Sequence, residues 1–414
     1  MFSNYFKIAI AVLKRRKFFT FISLFGISFT LTIVIVVAAF VDEMFSAGYP
    51  DVNRDRELFV NKMDLRSTKN QSSIGAGPSY YFIHHYVSRL KTQVKTAILG
   101  NNSPQTIYVN NKKQVNSVRS TNDQFWEVLE FHFIEGKPYT KQQIDNGEKV
   151  AVISEAVRNN YFGEGVSAVG KYLETGNIQY RVMGVVKSLS QTSNVYADIF
   201  IPLVPSPSDL HDFSLVGGVT AILLLDSKAD IPKMKEEFNR MTAGVPIDDQ
   251  RFDRKLVYAD TYLQSFTREI HAGFTEDADG GVAIFLLIIG TFFLFFLLLP
   301  TLNLVNINIS RIMDRSSEIG VRKAFGASSW TLVYQFIVEN LILTFIGGAV
   351  GVVLSFIIIQ IINSSNLMQN VQLAINFHVL FFGLLACLFF GLLSGVYPAW
   401  RMSRMNVVTA LKAQ

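Results

Sequence analysis

The chain has 414 residues, 50% of them hydrophobic and 17% charged, with a net charge of +5 and one cysteine. A lone thiol, Cys387, excludes an intrachain disulfide and any cysteine-based metal site. The basic surplus does not indicate a nucleic-acid partner, because it sits in short segments beside long apolar runs, where topology accounts for it, and the rest of the chain is net acidic.

Residues 1–17 carry Lys7, Lys14, Arg15, Arg16 and Lys17 and no acid, and the run 18–41 that follows has no charged residue. That run is too long for the apolar core of a cleaved signal peptide, and it is read as a retained first span. Three further runs have the same character: 282–309 without a charge, 336–362 with only Glu339, and 377–400 with only His378 near its start. At a rise of about 1.5 Å per residue, about 20 apolar residues cross a hydrocarbon core roughly 30 Å thick. The expected architecture is therefore a membrane protein of four transmembrane α-helices, with a large α+β extracytoplasmic domain at 42–281 inserted between helices 1 and 2. Lys and Arg collect on the cytoplasmic side of span ends. The loop 310–335 holds Arg311, Arg315, Arg322 and Lys323 against Asp314 and Glu318, the tail 401–414 holds Arg401, Arg404 and Lys412, and the loop 363–376 holds no charge. Both termini and the 310–335 loop are assigned to the cytoplasm, and the 363–376 loop to the outside.

Within 42–281, β-branched and aromatic runs predict strands at Glu57 to Asn61, Gln105 to Val109, Lys149 to Ile153, Tyr180 to Val186, Ile199 to Leu203 and Thr220 to Leu225. Helical periodicity lies between them, at Tyr80 to Leu90, Gln124 to Leu129, Ser154 to Tyr161, Ile231 to Met241 and Ala259 to Thr267. The regular stretch 115–204 is expected to form one compact lobe, and 42–114 with 205–281 a second, membrane-proximal lobe.

Signals for chemistry are weak along the whole chain. Gly165 to Lys171 has the spacing of a phosphate-binding loop, but the next residue is Tyr172 where a magnesium-binding hydroxyl is needed, so a glycine-rich turn feeding a strand is the better reading. Leu393-Ser394-Gly395 is similar to the start of an ATPase signature loop, yet it lies in an apolar span and lacks the rest. His84 and His85 point about 100° apart on a helix and cannot chelate one metal. Asp277 to Gly280 lacks the later ligands of a calcium loop. No catalytic grouping and no metal site is expected. Glu339 is a carboxylate about one turn inside the third span, where it either snorkels or accepts hydrogen bonds at the interface, or pairs with the cytoplasmic element, for example Arg322 or Lys323. Gly347, Gly348 and Gly351 offer a face for close helix approach, within the chain or between copies. Pro300 is a candidate kink in the second span.

The stretch Glu318-Ile319-Gly320-Val321-Arg322-Lys323-Ala324-Phe325-Gly326-Ala327, followed by Gln335 and Glu339, resembles the cytoplasmic motif of the MacB/FtsX-type permeases of ABC transporters. The resemblance runs along most of the chain. It includes an N-terminal amphipathic helix at Tyr5 to Lys17, Phe125-Trp126, Gly136-Lys137, Val150 to Ser154, Tyr161-Phe162-Gly163, Val169-Gly170-Lys171, Tyr180 to Val186, and Tyr397 to Leu411. It implies a non-catalytic permease subunit of the bacterial inner membrane, paired with a second copy or a related permease and bound to a dimer of cytoplasmic ATPases. Those ATPases, expected as separate proteins, hold the ATP and Mg2+; this chain holds no cofactor. Within the motif, Glu318, Arg322 and Lys323 are expected to contact the ATPase or orient the coupling helix, Ile319 belongs to the same element, and Gly320, Gly326 and Ala327 permit close approach. The implied function is work done outside the membrane by hydrolysis inside it: efflux or release of a peptide, an antibiotic or a lipoprotein, with a periplasmic adaptor and an outer-membrane channel as further partners. The alternative is a signalling transducer that presses on an external protein such as a cell-wall hydrolase.

Overall fold

The computed structural model describes residues 10, 15, 17–109, 112–206, 213–270, 277, 279–313, 321, 329–365 and 373–403. The chain divides into two compact units, one of residues 45–285 and one of 1–44 with 286–414. Helix α1 (Lys17–Phe45) precedes β1 (Glu57–Val60), β2 (Met63–Arg66), β3 (Ser73–Pro78) and α2 (Tyr80–His85). Then come β4 (Gln93–Gly100), β5 (Ser103–Val109), β6 (Lys112–Thr121), α3 (Phe125–Val128), β7 (Phe133–Gly136), α4 (Lys141–Asp145), β8 (Val150–Ser154) and α5 (Glu155–Phe162). The strands β9 (Tyr172–Thr175), β10 (Ile178–Val186), β11 (Ile199–Pro202), β12 (Val216–Gly217) and β13 (Val219–Leu225) lead to α6 (Ile231–Gly244), β14 (Arg254–Val257) and α7 (Tyr262–Ile270). Three long helices follow: α8 (Val282–Met313), α9 (Ser329–Ser364) and α10 (Phe377–Ser403).

In the 45–285 unit a large sheet runs in the order β1-β13-β4-β6-β11-β8-β10-β7, with β5 paired to β6 and β9 to β10. β8/β10 and β6/β11 are parallel, and the remaining pairs are antiparallel. Its central strands are continuous apolar runs because both of their faces are covered. Leu58 and Val60 of β1 and Ala221, Leu223 and Leu225 of β13 enter a core shared with Phe82 of α2 and Met234 and Phe238 of α6. Phe59, Ile222 and Leu224, out of phase by one residue, enter a second core with Phe125 of α3, Val150 and Val152 of β8 and Tyr262 of α7. Ala151 and Ile153 of β8 alternate out of that core into a third, which Val157 of α5 and Ile199 of β11 share. The two ends of the sheet meet where β4 joins β6 through one ladder pair, Leu99 with Thr121. A smaller antiparallel sheet, β12-β3-β2-β14, completes the unit.

Side-chain caps set several helix starts. The hydroxyl of Ser79 accepts from the Phe82 amide at 3.0 Å to begin α2, and that of Ser154 accepts from the Val157 amide at 3.2 Å to begin α5. Thr140 and Gln143 form a reciprocal capping box at α4.

In the other unit, among the described residues, Lys17–Phe45 and Ile337–Ser364 are long and apolar enough to cross a membrane, while Val282–Leu298 and Phe377–Leu393 are shorter apolar helices. The α8 helix runs without interruption past Pro300 to Met313.

Candidate functional site

The helical unit is organised around a seam of small and hydroxyl residues. An ideal Cβ built on Gly347 would lie 2.9 Å from both Cβ and Cγ2 of Ile27, and one on Gly351 would lie 2.9 Å from the Ser28 carbonyl oxygen and 3.1 Å from Leu31 Cβ. These two glycines of α9 thus face α1 within the chain. Gly348 turns the other way, its Cβ position 3.4 Å from Leu384 of α10. Hydroxyls line the contact. Thr32 donates to the Ser28 carbonyl at 2.7 Å and lies 3.1 Å from the Gly351 carbonyl, and Ser355 donates to the Gly351 carbonyl at 2.7 Å. With lipid as solvent, such close backbone approach and interhelical hydrogen bonding replace the hydrophobic effect as the source of helix association.

Gly351→Leu is expected to lower the thermal stability of the purified chain by about 1–3 kcal/mol through overpacking against α1. Thermal unfolding in detergent together with the elution volume checks this. A change in oligomeric state at unchanged stability would instead place these glycines between copies.

Glu339 and Asn340 of α9 are 1% and 7% exposed. A snorkelling carboxylate keeps its head in water, so burial to this degree turns Glu339 toward the interior of the helical unit. The expected coupling residues Glu318, Ile319, Gly320, Arg322, Lys323, Gly326 and Ala327 lie outside the described residues, and so does any pairing of Glu339 with Arg322 or Lys323.

In the 45–285 unit the chain enters at Phe45, the last residue of α1, and leaves at Phe285 in the first turn of α8. Both rings pack edge-on against Phe266 of α7 or each other: the centroids are 5.0 Å apart for Phe45 and Phe266, 5.9 Å for Phe266 and Phe285, and 5.8 Å for Phe45 and Phe285. Tyr262, one turn earlier on α7, meets Phe45 at 6.1 Å and Phe59 of β1 at 5.6 Å, which ties this aromatic junction to the large sheet.

Beside it stands a buried ion pair that no sequence pattern announced. Arg268, 2% exposed, donates through Nε to Asp260 Oδ2 at 2.6 Å and through Nη2 to Oδ1 at 3.1 Å, and its guanidinium lies 3.7 Å from the Tyr258 ring centre. Asp260 exchanges both backbone hydrogen bonds with Phe59, and Arg268 Nη2 also reaches the Asp277 carbonyl at 3.3 Å. The Asp279 carboxylate accepts from the Gly281 amide at 3.1 Å and the Ala283 amide at 3.3 Å, and these bonds hold it below the usual carboxylate range. Asp279 therefore caps α8, and an Asp just before an apolar run was a readable signal for it.

A second unannounced pair is acidic. Glu57, fully buried, and Asp51 are neighbours, and burial first, then the Asp51 charge, pushes the Glu57 carboxyl well above the usual range. Arg54 Nε binds the far oxygen of Asp51 at 2.7 Å, while Asp51 Oδ1 and both Glu57 oxygens have no conventional donor.

The lookalike motifs resolve simply. In Gly165 to Lys171 the amides of Ala168, Gly170 and Lys171 are already bonded to Glu135, Val182 and Ala168, so they cannot cradle a phosphate before β9 begins. His84 and His85 stack on different tyrosines, Tyr80 and Tyr81, with ring centres 5.6 Å and 5.1 Å apart.

Among the described residues, two long apolar helices, a further pair of shorter apolar helices and a large α+β unit define a class of membrane-helix protein with a sizeable globular unit. Residues 20–241 match the MacB-like periplasmic core domain and residues 290–407 the FtsX-like permease C-terminal domain. The chain belongs to the MacB/FtsX-type family of ABC transporter permeases, a family of the bacterial inner membrane. It is 24% identical over 299 residues to the uncharacterized ABC transporter permease YvrN of Bacillus subtilis (strain 168), covering 71% of this chain and 69% of that protein. It is 23% identical over 405 residues to the macrolide export ATP-binding/permease protein MacB 1 of Yersinia pestis bv. Antiqua (strain Antiqua), covering 96% of this chain but only 58% of that protein. The crystal structure of the periplasmic region of MacB from Actinobacillus actinomycetemcomitans aligns with 52% of this chain and 94% of its own at 14% identity and a TM-score of 0.34.

Proposed function

We propose that this chain is a permease subunit that couples ATP hydrolysis by a cytoplasmic ATPase dimer to rearrangement of its external unit, driving efflux or release of a substrate. In this reading α1, α8, α9 and α10 all span the inner membrane, both termini are cytoplasmic, and ATP and Mg2+ are held by the ATPase. The permease works as a pair, with a second copy or a related chain. The observation that carries the reading is the aromatic junction, because Phe45 at the end of α1 and Phe285 at the start of α8 meet on Phe266. A displacement arriving along either helix enters the external unit at one place, tied by Tyr262 to β1. A relative named for macrolide export supports an antibiotic as cargo, with peptides and lipoproteins as the other classes. A periplasmic adaptor and an outer-membrane channel complete an export path.

The residues proposed to receive the ATPase stroke are Glu318, Ile319, Gly320, Arg322, Lys323, Gly326 and Ala327. Gly326→Leu is expected to leave the permease–ATPase complex intact while abolishing ATP-driven distance changes between spin labels in the external unit. Unchanged distances relative to the parent would overturn the coupling role. Native purification tests the wider reading: an ATPase retained with an adaptor or channel supports export, one retained with a cell-wall hydrolase supports the transducer, and no ATPase with or without a non-hydrolysable ATP analogue overturns both.

A further inference from the structure

In the small sheet of the 45–285 unit, β3 has one edge that is only half covered. On one side Ser73, Ile74, Gly75 and Ala76 pair with Arg66, Leu65, Asp64 and Met63 of β2. On the other side β12 covers only Gly77 and Pro78 before the chain turns off through Gly218 into β13. Two hydrogen bonds that bracket the strand fix which main-chain groups are left uncovered. The Ser67 amide donates to the Ser72 carbonyl on the β2 side, and the Ser79 amide donates to the Leu215 carbonyl on the β12 side, both at 2.9 Å. Main-chain groups alternate between the two edges along a strand, so residues 72, 74 and 76 bond toward β2 and Ser73, Gly75 and Gly77 face the other edge. There β12 takes Gly77. The amides and carbonyls of Ser73 and Gly75 have no partner among the described residues, and Ser73 to Ala76 are all exposed.

The uncovered stretch also lacks the usual guards. Sheets blunt an open edge with charged side chains, proline or a bulge. Ser73 to Ala76 has none of the three: it reads Ser-Ile-Gly-Ala, and its ladder with β2 runs without a shift. One face of this edge opens on a cavity of about 440 Å³. Leu65 and Phe252, both buried, form its floor, and Ile74 and Phe213, 42% and 58% exposed, stand at its mouth with Val216 of β12. Leu65 lies opposite Ile74 in the ladder, so the two side chains share that face of the sheet. The cation of the lining, Arg251, is already held by Asp249 at 2.6 Å, which leaves no clamp for a terminal carboxylate. The groove therefore suits the middle of a polypeptide better than its end.

We propose that the β3 edge docks an extended segment of a partner polypeptide by strand addition, prolonging β12 along Ser73 to Ala76 and setting alternate apolar side chains in the cavity beside Ile74. A lipid tail or a drug-like ring fills the cavity but leaves the row of donors and acceptors unpaired, whereas a further strand satisfies both. Four residues of edge at about 3.4 Å each span about 14 Å, so the segment is short. Its alternation is fixed as well. Partner residues opposite Ile74 and Ala76 send their side chains to the cavity face and their amides away from β3, while those opposite Ser73 and Gly75 bond to the edge and point their side chains to the other face. Docking of this kind does not require the ATPase, so its failure would leave the export reading standing.

The probe is an acetylated and amidated hexapeptide of alternating lysine and valine, titrated into the full chain in lipid nanodiscs. It is expected to bind with its valines toward the cavity and to slow amide exchange at Gly75. N-methylation of the valines, whose amides point away from β3, is expected to leave the affinity nearly unchanged, while N-methylation of the lysines, whose amides bond to the edge, weakens it by about tenfold or more. In the protein, Gly75→Pro removes one outward amide at an edge position where proline is tolerated, and Phe213→Ser strips the mouth of the cavity at an exposed site; each is expected to weaken the unmethylated peptide. Equal loss from the two methylation patterns, indifference to Gly75→Pro, or no binding at millimolar peptide overturns the proposal. A parent chain that takes no peptide and whose Gly75→Pro variant elutes as a smaller oligomer would give the edge to a second copy instead.

Discussion

Arg268→Met is expected to destabilise the 45–285 unit by about 3–5 kcal/mol, because it strands the Asp260 carboxylate in the interior without its partner. Asp260 is 3% exposed and its two side-chain oxygens are taken by one guanidinium. Methionine fills much the same volume as the arginine stem, so lost packing contributes little and the cost reports the uncompensated charge. The double variant Asp260→Asn with Arg268→Met removes both charges and is expected to recover a large part of that loss, as double-mutant logic requires for directly coupled groups. In a unit of this size about 2–4 °C of Tm corresponds to 1 kcal/mol, so the single variant should fall by roughly 10 °C and the double by clearly less. Equal losses in the single and double variants would show that the pair is held by packing and that its charges do not interact. The position of the pair adds a functional readout. Arg268 also grips the Asp277 carbonyl ahead of the α8 cap at Asp279, so its loss slackens the approach to the helix as well as the fold.

Neither member of that pair could be found by reading the chain. They stand eight residues apart around the start of α7, and an Asp and an Arg at such spacing are ordinary on any solvated surface; only the covering by Tyr258 and the pairing with Phe59 make them interior. Elements whose burial dictates composition were far more visible. β1, β8 and β13 are covered on both faces and read as mainly apolar runs, so they fell within a residue or two of expectation. β3, with the sequence Ser-Ile-Gly-Ala-Gly-Pro and mostly exposed, carries no such signature, and its small sheet was missed with it. β4 and β6 were missed for a related reason: the apolar run of β4 is only Ala97 to Leu99, and Val115 and Val118 are the apolar residues of β6. The expected helix Tyr80 to Leu90 ends at His85 and continues as a separate turn at Val87–Arg89. In the helical unit the small residues of α9 announced a close approach, but a pattern on one helix does not name its partner, and the α1 face that receives Gly347 and Gly351 is made by Ile27, Ser28 and Leu31.

Glu57→Gln is expected to raise stability at alkaline pH, the reverse of what losing an arginine-flanked carboxylate would ordinarily do. The two arginines beside Glu57 are turned elsewhere: Arg56 donates to the Leu225 and Asp226 carbonyls and to Asn53, and Arg54 to Asp51 and the Ser46 carbonyl while stacking on Tyr262. Burial and the Asp51 carboxylate then keep the Glu57 carboxyl protonated, with its proton shared toward Asp51. The sign follows from linkage. A carboxyl whose folded pKa is raised binds more protons folded than unfolded, so its contribution is fully present below the ordinary value of 4.5 and is lost as pH climbs from there toward the raised value. Each pH unit in that window removes about 1.4 kcal/mol. Glutamine is neutral at every pH and offers an N–H to Asp51 in place of the proton, so the variant does not incur this loss. Near pH 4.5 the two proteins should melt together; by pH 7.5 the variant should lead by up to about 4 kcal/mol, roughly 10 °C in Tm. Because the titrating groups beyond Asp51 are common to both chains, the difference between their Tm curves reports the coupled Glu57–Asp51 pair. A variant less stable than the parent at pH 7.5 would mean that Glu57 is ionised there and held by Arg54 or Arg56.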